Sequence, residues 1–176
     1  YVIIDLDGLL VNTEEKYMLH IQNIFDRYGL RYTWDIHANQ IGFSPEKSNA
    51  FFNAFLADLL NKRFVLNLIS DEFRDMRSVK KINFSDTELM DGAREAIHFL
   101  HKANFKLILA TNSTYGELEQ KIYNNIDVTI NKLFNENFLD IIYKSDDTSE
   151  VNKYKRVLEK HFLSTNECLV IEDSYF

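Results

Sequence analysis

Four short apolar runs, Val2-Ile3-Ile4 through Leu6, Lys106 through Ala110, Leu139 through Tyr143 and Cys168 through Ile171, have the length and flanks of buried parallel strands. The last three each follow a helical pattern. Ala93, Ala96, Ile97 and Leu100 step at three and four, as do Leu118 and Ile122, and then Val157, Leu158 and Phe162. Strand alternating with helix from about residue 91 onward predicts an α/β domain with right-handed crossovers.

Between the first strand and Asp91 the period changes. Leu19, Ile21, Ile24 and Phe25, then Phe52, Phe55, Leu56, Leu59 and Leu60, then Val65, Leu66, Ile69, Phe73 and Met76 recur at helical spacing with no strand between them. This is an all-helical insertion, with Ser44-Pro45 placed as N-cap and first helical residue of one of its helices. An insertion after the first strand of such a sheet is expected above the carboxyl ends of the strands, where α/β folds place their ligands, and so in the position of a lid.

Composition narrows the class. The chain has 176 residues, 20 Lys+Arg against 27 Asp+Glu and a formal charge of −7. That balance argues against affinity for nucleic acid or an anionic membrane, both of which need clustered positive charge. The single cysteine, Cys168, excludes an internal disulfide and fits a cytoplasmic setting. No apolar run approaches the roughly 18 residues that span a bilayer. One proline and five glycines leave few breakers, so long elements are expected.

The decisive stretch is Asp5-Leu6-Asp7-Gly8-Leu9-Leu10-Val11-Asn12-Thr13. Two carboxylates two residues apart, at the exit of a buried strand and ahead of a turn-permitting glycine, are costly to bury unless a cation or hydrogen bonds compensate. The alternative is a strand-end turn with solvated Asp side chains. Two later strands also end in polar groups, Thr111-Asn112-Ser113 and Glu172-Asp173-Ser174, and either could simply cap the next helix.

Taken in order, these three segments resemble the motifs of the haloacid dehalogenase-like hydrolases, whose first motif has the form DxDGxLxxT/S. The resemblance implies a Rossmann-like parallel sheet core, residues 1–13 and 91–176, with an all-helical cap at 14–90. The sheet's last strand and helix are expected beyond this sequence. It implies Asp5 as the nucleophile of an aspartyl-phosphate and Asp7 as the acid and base. Asp173, Asp5 and the backbone carbonyl of Asp7 would hold Mg²⁺, with Glu172 assisting. Thr111 and the Asn112 N–H would bind the phosphoryl group. The cap is similar to that of the group containing phosphoglycolate phosphatase, β-phosphoglucomutase and pseudouridine-5′-phosphatase.

One motif departs from the pattern. Relatives carry a lysine, often followed by proline, that offsets the charge on phosphoryl and nucleophile; here the region reads Ser149-Glu150-Val151-Asn152-Lys153-Tyr154-Lys155. Lys153 is the nearest substitute, about five residues closer to Glu172 than the resemblance implies, and an ungapped placement puts Thr148 there. Lys144 and Lys155 are further candidates, and each of the three also reads as a solvated lysine.

Two functions therefore stand: a Mg²⁺-dependent phosphatase acting on a small phosphorylated metabolite, or a catalytically impaired paralogue that binds a ligand. A sugar phosphomutase would share the same core. Tyr32 and Trp34 read as a base-stacking pair or as packing. His98 and His101 read as solvent-face residues, with His20, His37 and His161 isolated.

Overall fold

A computed structural model describes residues 1–41, 45–60, 82–144 and 152–173. The chain divides into two compact units, one formed by Tyr1–Thr13 with Phe84–Asp173 and the other by Glu14–Asn83.

The first unit is built on four parallel strands, β1 (Val2–Ile4), β2 (Leu107–Thr114), β3 (Phe138–Lys144) and β4 (Leu169–Ile171), in the order β3-β2-β1-β4. Central β1 and β2 must be apolar on both faces, and their alternating side chains divide accordingly. Val2, Ile4, Leu107 and Leu109 pack with Ile97, Leu118, Ile122, Ile130 and Phe134 on one face. Ile3, Ile108 and Ala110 pack with Ile142 and Val157 on the other. Each fully buried aliphatic contributes on the order of 1.5–3 kcal/mol.

The first face is covered by α4 (Ala93–Lys102), by α5 (Tyr115–Leu118) with the π-helical turn Glu119–Tyr123 that continues it, and by α6 (Val128–Asn137). Asp127 caps α6, its side chain accepting a hydrogen bond from the Thr129 N–H. Helix α7 (Lys153–His161) contributes Val157 to the opposite face. Residues 84–91 also belong to this unit: Val11 bridges Leu89, and the Asn12 N–H donates to the Glu88 carbonyl at 2.9 Å.

Two features of the periodicity are corrected. Helix α6 lies between the Leu118–Ile122 stripe and β3, a helix that the stripe did not announce. Phe162 is not part of the apolar face of α7; it sits one residue past the helix at φ +53° and is 93% exposed.

In the second unit, α1 (Thr13–Arg27), α2 (Trp34–Ala38) and α3 (Pro45–Leu60) account for the described elements. Met18, Ile21, Ile24 and Phe25 of α1 form a core with Tyr32 and Phe52, and the Phe25 and Tyr32 rings lie 4.9 Å apart. Leu19 falls off that stripe and is 45% exposed. The Ser44 cap and the periodic run Val65–Met76 lie outside the described residues.

His37 is not isolated. It is buried, with Nε2 3.0 Å from Glu14 Oε2 and Nδ1 3.0 Å from the Tyr32 hydroxyl. Gln40 Nε2 also donates to that hydroxyl, at 2.6 Å. Tyr32 is core rather than a stacking surface, while Trp34 is half exposed, its ring nearly perpendicular to that of His37 at 5.3 Å. Among the described residues no helix is long and apolar enough to cross a membrane.

Candidate active site

The carboxyl ends of β1, β2 and β4 lie side by side because the three strands are parallel neighbours in register, Ile4 opposite Leu109 and Ile171. Whatever follows each strand is therefore brought to one place. After β1 come Asp5 and Asp7; β2 carries Thr111 and Ser113 near its own end; after β4 come Glu172 and Asp173.

Asp5 continues the line of β1, its N–H donating to the Ile171 carbonyl at 3.1 Å. The chain then turns sharply at Gly8, whose φ of +75° is ready for a residue without Cβ and strained for others. The turn is closed by Gly8 N–H to the Val11 carbonyl and Leu10 N–H to the Leu6 carbonyl. Leu6 points into the core between the two acids, so Asp5 and Asp7 emerge together.

Three carboxylates and one ammonium meet at the first position. Oxygens of Asp5, Glu172 and Asp173 lie within 4.8 Å of one another. Lys153, in the first turn of α7, places Nζ 2.7 Å from Asp5 Oδ1 and 2.8 Å from Glu172 Oε2. The ammonium therefore ion-pairs an Asp5 oxygen that is itself buried. The neighbouring Tyr154 hydroxyl donates to Glu172. Burial, countered by Lys153 and reinforced by the Glu172 charge, pushes the Asp5 carboxyl up to about 7.

This donor set fits a divalent cation. Three carboxyl groups stand against one ammonium in a hard, all-oxygen cluster of the kind that suits Mg²⁺. Asp173 is the exposed member of the three and Asp5 the buried one.

Asp7 faces elsewhere. Lys121 Nζ lies 2.6 Å from Oδ1, while Oδ2 accepts from the Ser113 hydroxyl at 2.7 Å and the Thr111 hydroxyl at 3.1 Å. Burial opposes ionisation of Asp7, but the charge and hydrogen bond of Lys121, joined by Ser113 and Thr111, outweigh it and hold the carboxyl below its ordinary range. Thr111 is fully buried within β2 and also accepts from the Ser113 N–H. Asn112 is exposed, and the helix start expected beside it comes three residues later, at Tyr115, where Thr114 and Glu117 form the capping box.

Asp5, Lys153, Glu172 and Asp173 are thus gathered at one point, with Asp7 and Thr111 joined by a hydrogen bond beside them. Lys121 and Ser113 carry as much of the local geometry, and neither has a role in the sequence reading. A signal for Lys121 was present: Leu118, Lys121, Ile122 and Asn125 stand at i, i+3, i+4 and i+7, so the lysine occupies an inward position of an apolar stripe.

The sequence profile of the haloacid dehalogenase-like hydrolases matches residues 2–176. A Thermotoga maritima protein named phosphorylated carbohydrates phosphatase is 26% identical over 98% of this chain and 76% of its own length. A Drosophila melanogaster protein named "Probable pseudouridine-5′-phosphatase" is 28% identical over 69% of this chain and 49% of its own. A crystal structure of the HAD-hydrolase YfnB from Bacillus subtilis, described as bound to magnesium, superposes with a TM-score of 0.60 at 20% identity, covering 98% of this chain and 79% of that one. With the profile spanning nearly every residue, and with paired acids, a hydroxyl strand end and a second acidic strand end converging on one sheet edge, the chain belongs to the haloacid dehalogenase-like hydrolase family.

Proposed function

We propose that this chain is a Mg²⁺-dependent phosphatase that hydrolyses small organic phosphate monoesters through an aspartyl-phosphate on Asp5. The observation that carries the reading is the ammonium of Lys153, 2.7 Å from Asp5 and inside the carboxylate cluster. It supplies the charge that the absent Lys-Pro element would otherwise withhold, which favours a working enzyme over an impaired binding protein.

In the first half-reaction an Asp5 carboxylate oxygen attacks phosphorus, the ester P–O bond breaks, and the leaving alkoxide takes the proton of the fraction of Asp7 that is protonated when substrate is bound. In the second, Asp7 accepts a proton from a water that attacks the phosphorus of the acyl phosphate. The P–O bond to Asp5 breaks, releasing inorganic phosphate and restoring the carboxylate. Lys153 faces the nucleophile and screens it from the charge of Glu172, and Tyr154 fixes Glu172. Thr111, whose hydroxyl donates to Asp7, holds that carboxylate at the end of β2. Asp5, Asp173 and the Asp7 carbonyl, with Glu172 beside them, would hold Mg²⁺, which when bound supplies positive charge for the equatorial phosphoryl oxygens.

The names of the two relatives favour a phosphorylated sugar or nucleoside as substrate. Phosphate release from pseudouridine 5′-phosphate, ribose 5-phosphate and p-nitrophenyl phosphate, with and without Mg²⁺, tests the reading. Metal-dependent release that Asp5→Asn abolishes supports it; release no greater than that of Asp5→Asn rejects it.

A further inference from the structure

Lys121 poses a physical question that the mechanism above does not answer. It is 1% exposed, and a buried ammonium is costly unless its partners repay the lost hydration. Packing alone asks only for an apolar side chain at an inward position between Leu118 and Ile122, both of them fully buried. A structural ion pair at this depth is replaceable by hydrophobic residues with little loss. The charge therefore calls for a reason at its far end, and that end is Asp7.

The surroundings of Lys121 hold the ammonium at one point. Nζ sits 4.4 Å above the centroid of the Phe84 ring and donates to Ser113 Oγ at 2.9 Å as well as to Asp7 Oδ1. The Phe84 N–H is tied to Gln120 Oε1 at 3.0 Å, so the ring under the ammonium is fixed to the residue preceding Lys121. The Lys121 carbonyl accepts from Asn125 Nδ2, which also donates to the Thr87 carbonyl at 2.9 Å. Segments 84–87 and 120–125 are knitted together around this one side chain. The backbone here is the π-helical turn Glu119–Tyr123, and a wide turn of this kind inside a helix commonly marks a functional position.

Seen from Asp7, both carboxylate oxygens are spoken for, Oδ1 by Lys121 and Oδ2 by Ser113 and Thr111, and Ser113 is itself hydrogen-bonded to Lys121. The triangle Lys121–Ser113–Asp7 defines where the carboxylate lies and which way its oxygens face. A proton donor displaced by about 1 Å loses on the order of 10²-fold in rate.

We propose that Lys121 is a positioning residue that acts through Asp7, its ammonium and the Ser113 hydroxyl together orienting the carboxylate that exchanges protons with the leaving alcohol and the attacking water. The inference rests on the phosphatase reading, and it adds a lysine distinct from Lys153, which serves Asp5. Lys121 touches neither the nucleophile nor the cation cluster in the contacts described, so its removal acts on the proton-transfer group alone.

The test is a double-mutant cycle on the full chain with Mg²⁺, using Lys121→Met, Asp7→Asn and the pair. Substrates are p-nitrophenyl phosphate, whose leaving group needs no proton, and ribose 5-phosphate, whose alcohol does. The expected result has four parts. Lys121→Met lowers kcat on ribose 5-phosphate by about 10–100-fold, the share of a 10²–10⁴-fold proton-transfer advantage that depends on placement. KM moves less than threefold. The loss is smaller on p-nitrophenyl phosphate. In the Asp7→Asn background the same substitution changes kcat on p-nitrophenyl phosphate less than threefold.

Ser113→Ala is the second probe, expected to lower kcat less than Lys121→Met and also to be silent on Asp7→Asn; it decides the matter if Lys121→Met fails to melt cooperatively. Losses that multiply in the double variants, or a rate of Asp5 phosphorylation lowered equally for both substrates in a single turnover, overturn the positioning role while leaving the phosphatase reading intact. A wild-type chain that releases no phosphate from either ester overturns that reading and the positioning role with it.

Discussion

Lys153 Nζ stands 2.7 Å from Asp5 Oδ1 and 2.8 Å from Glu172 Oε2, with its side chain nine-tenths buried. The lysine comes from the first turn of α7, capped by Asn152 through the Tyr154 N–H, so its position is set by where that helix begins. Removing a preorganised positive charge from a phosphoryl site typically costs about 10²–10³ in kcat. Lys153→Met is therefore expected to lower turnover by that factor while Lys155→Met, at an exposed position, leaves it unchanged. Steady-state phosphate release measures both, and an unimpaired Lys153→Met enzyme would show that Mg²⁺ alone meets the charge requirement.

The metal is expected to stabilise the fold as well as to support turnover. A cation that binds only the native state raises the melting temperature with concentration according to RT ln(1 + [L]/Kd). Adding Mg²⁺ to chelator-treated protein should raise Tm and restore activity together. Asp173→Asn should weaken Mg²⁺ binding by about 10–100-fold, with the stability of the metal-free protein within about 0.5 kcal/mol of wild type because Asp173 is exposed. Calorimetric titration and thermal melts check the two halves separately.

Asp5 makes a pH prediction whose sign is opposite to that of most carboxylates. Its folded pKa is raised, to about 7, above the unfolded value, so the native state holds the proton more tightly than the unfolded chain. The stability this contributes is complete below the unfolded pKa and is lost as pH rises through about 7. Without metal, Asp5→Asn should be more stable than wild type at pH 8, and the difference should shrink toward pH 5. Urea denaturation at both values reads the change, and a difference independent of pH would contradict it.

The helical unit offers a contrast between two positions on one helix. Phe25 is fully buried against Tyr32, Phe52 and Phe55, and Phe25→Ala should cost about 3–5 kcal/mol. Leu19 is 45% exposed on the same helix, and Leu19→Ala should fall within about 0.5 kcal/mol of wild type. Chemical denaturation followed by tryptophan fluorescence suits both, since Trp34, the sole tryptophan, lies in this unit.

What the sequence determined by itself is local. Apolar runs bounded by acids or hydroxyls at Asp5, Thr111 and Glu172-Asp173 read directly as strand ends, because a buried strand needs neighbouring apolar residues and its exit needs polar ones, both within a few positions. Parallel pairing brings those ends together, and the resemblance to the family's motifs is what singled out Asp5, Glu172 and Asp173 as one cluster. Tertiary structure alone decided which lysines join them. Lys144, Lys153 and Lys155 look alike as sequence, and only the starting point and rotation of α7 bury Lys153 while leaving Lys155 at the surface. Lys121 depended on a π-helical turn and on Phe84 arriving from 37 residues earlier, and His37 on Glu14 and Tyr32. A cation's worth is set by the anions around it and the water excluded from it, and both are properties of packing between distant segments.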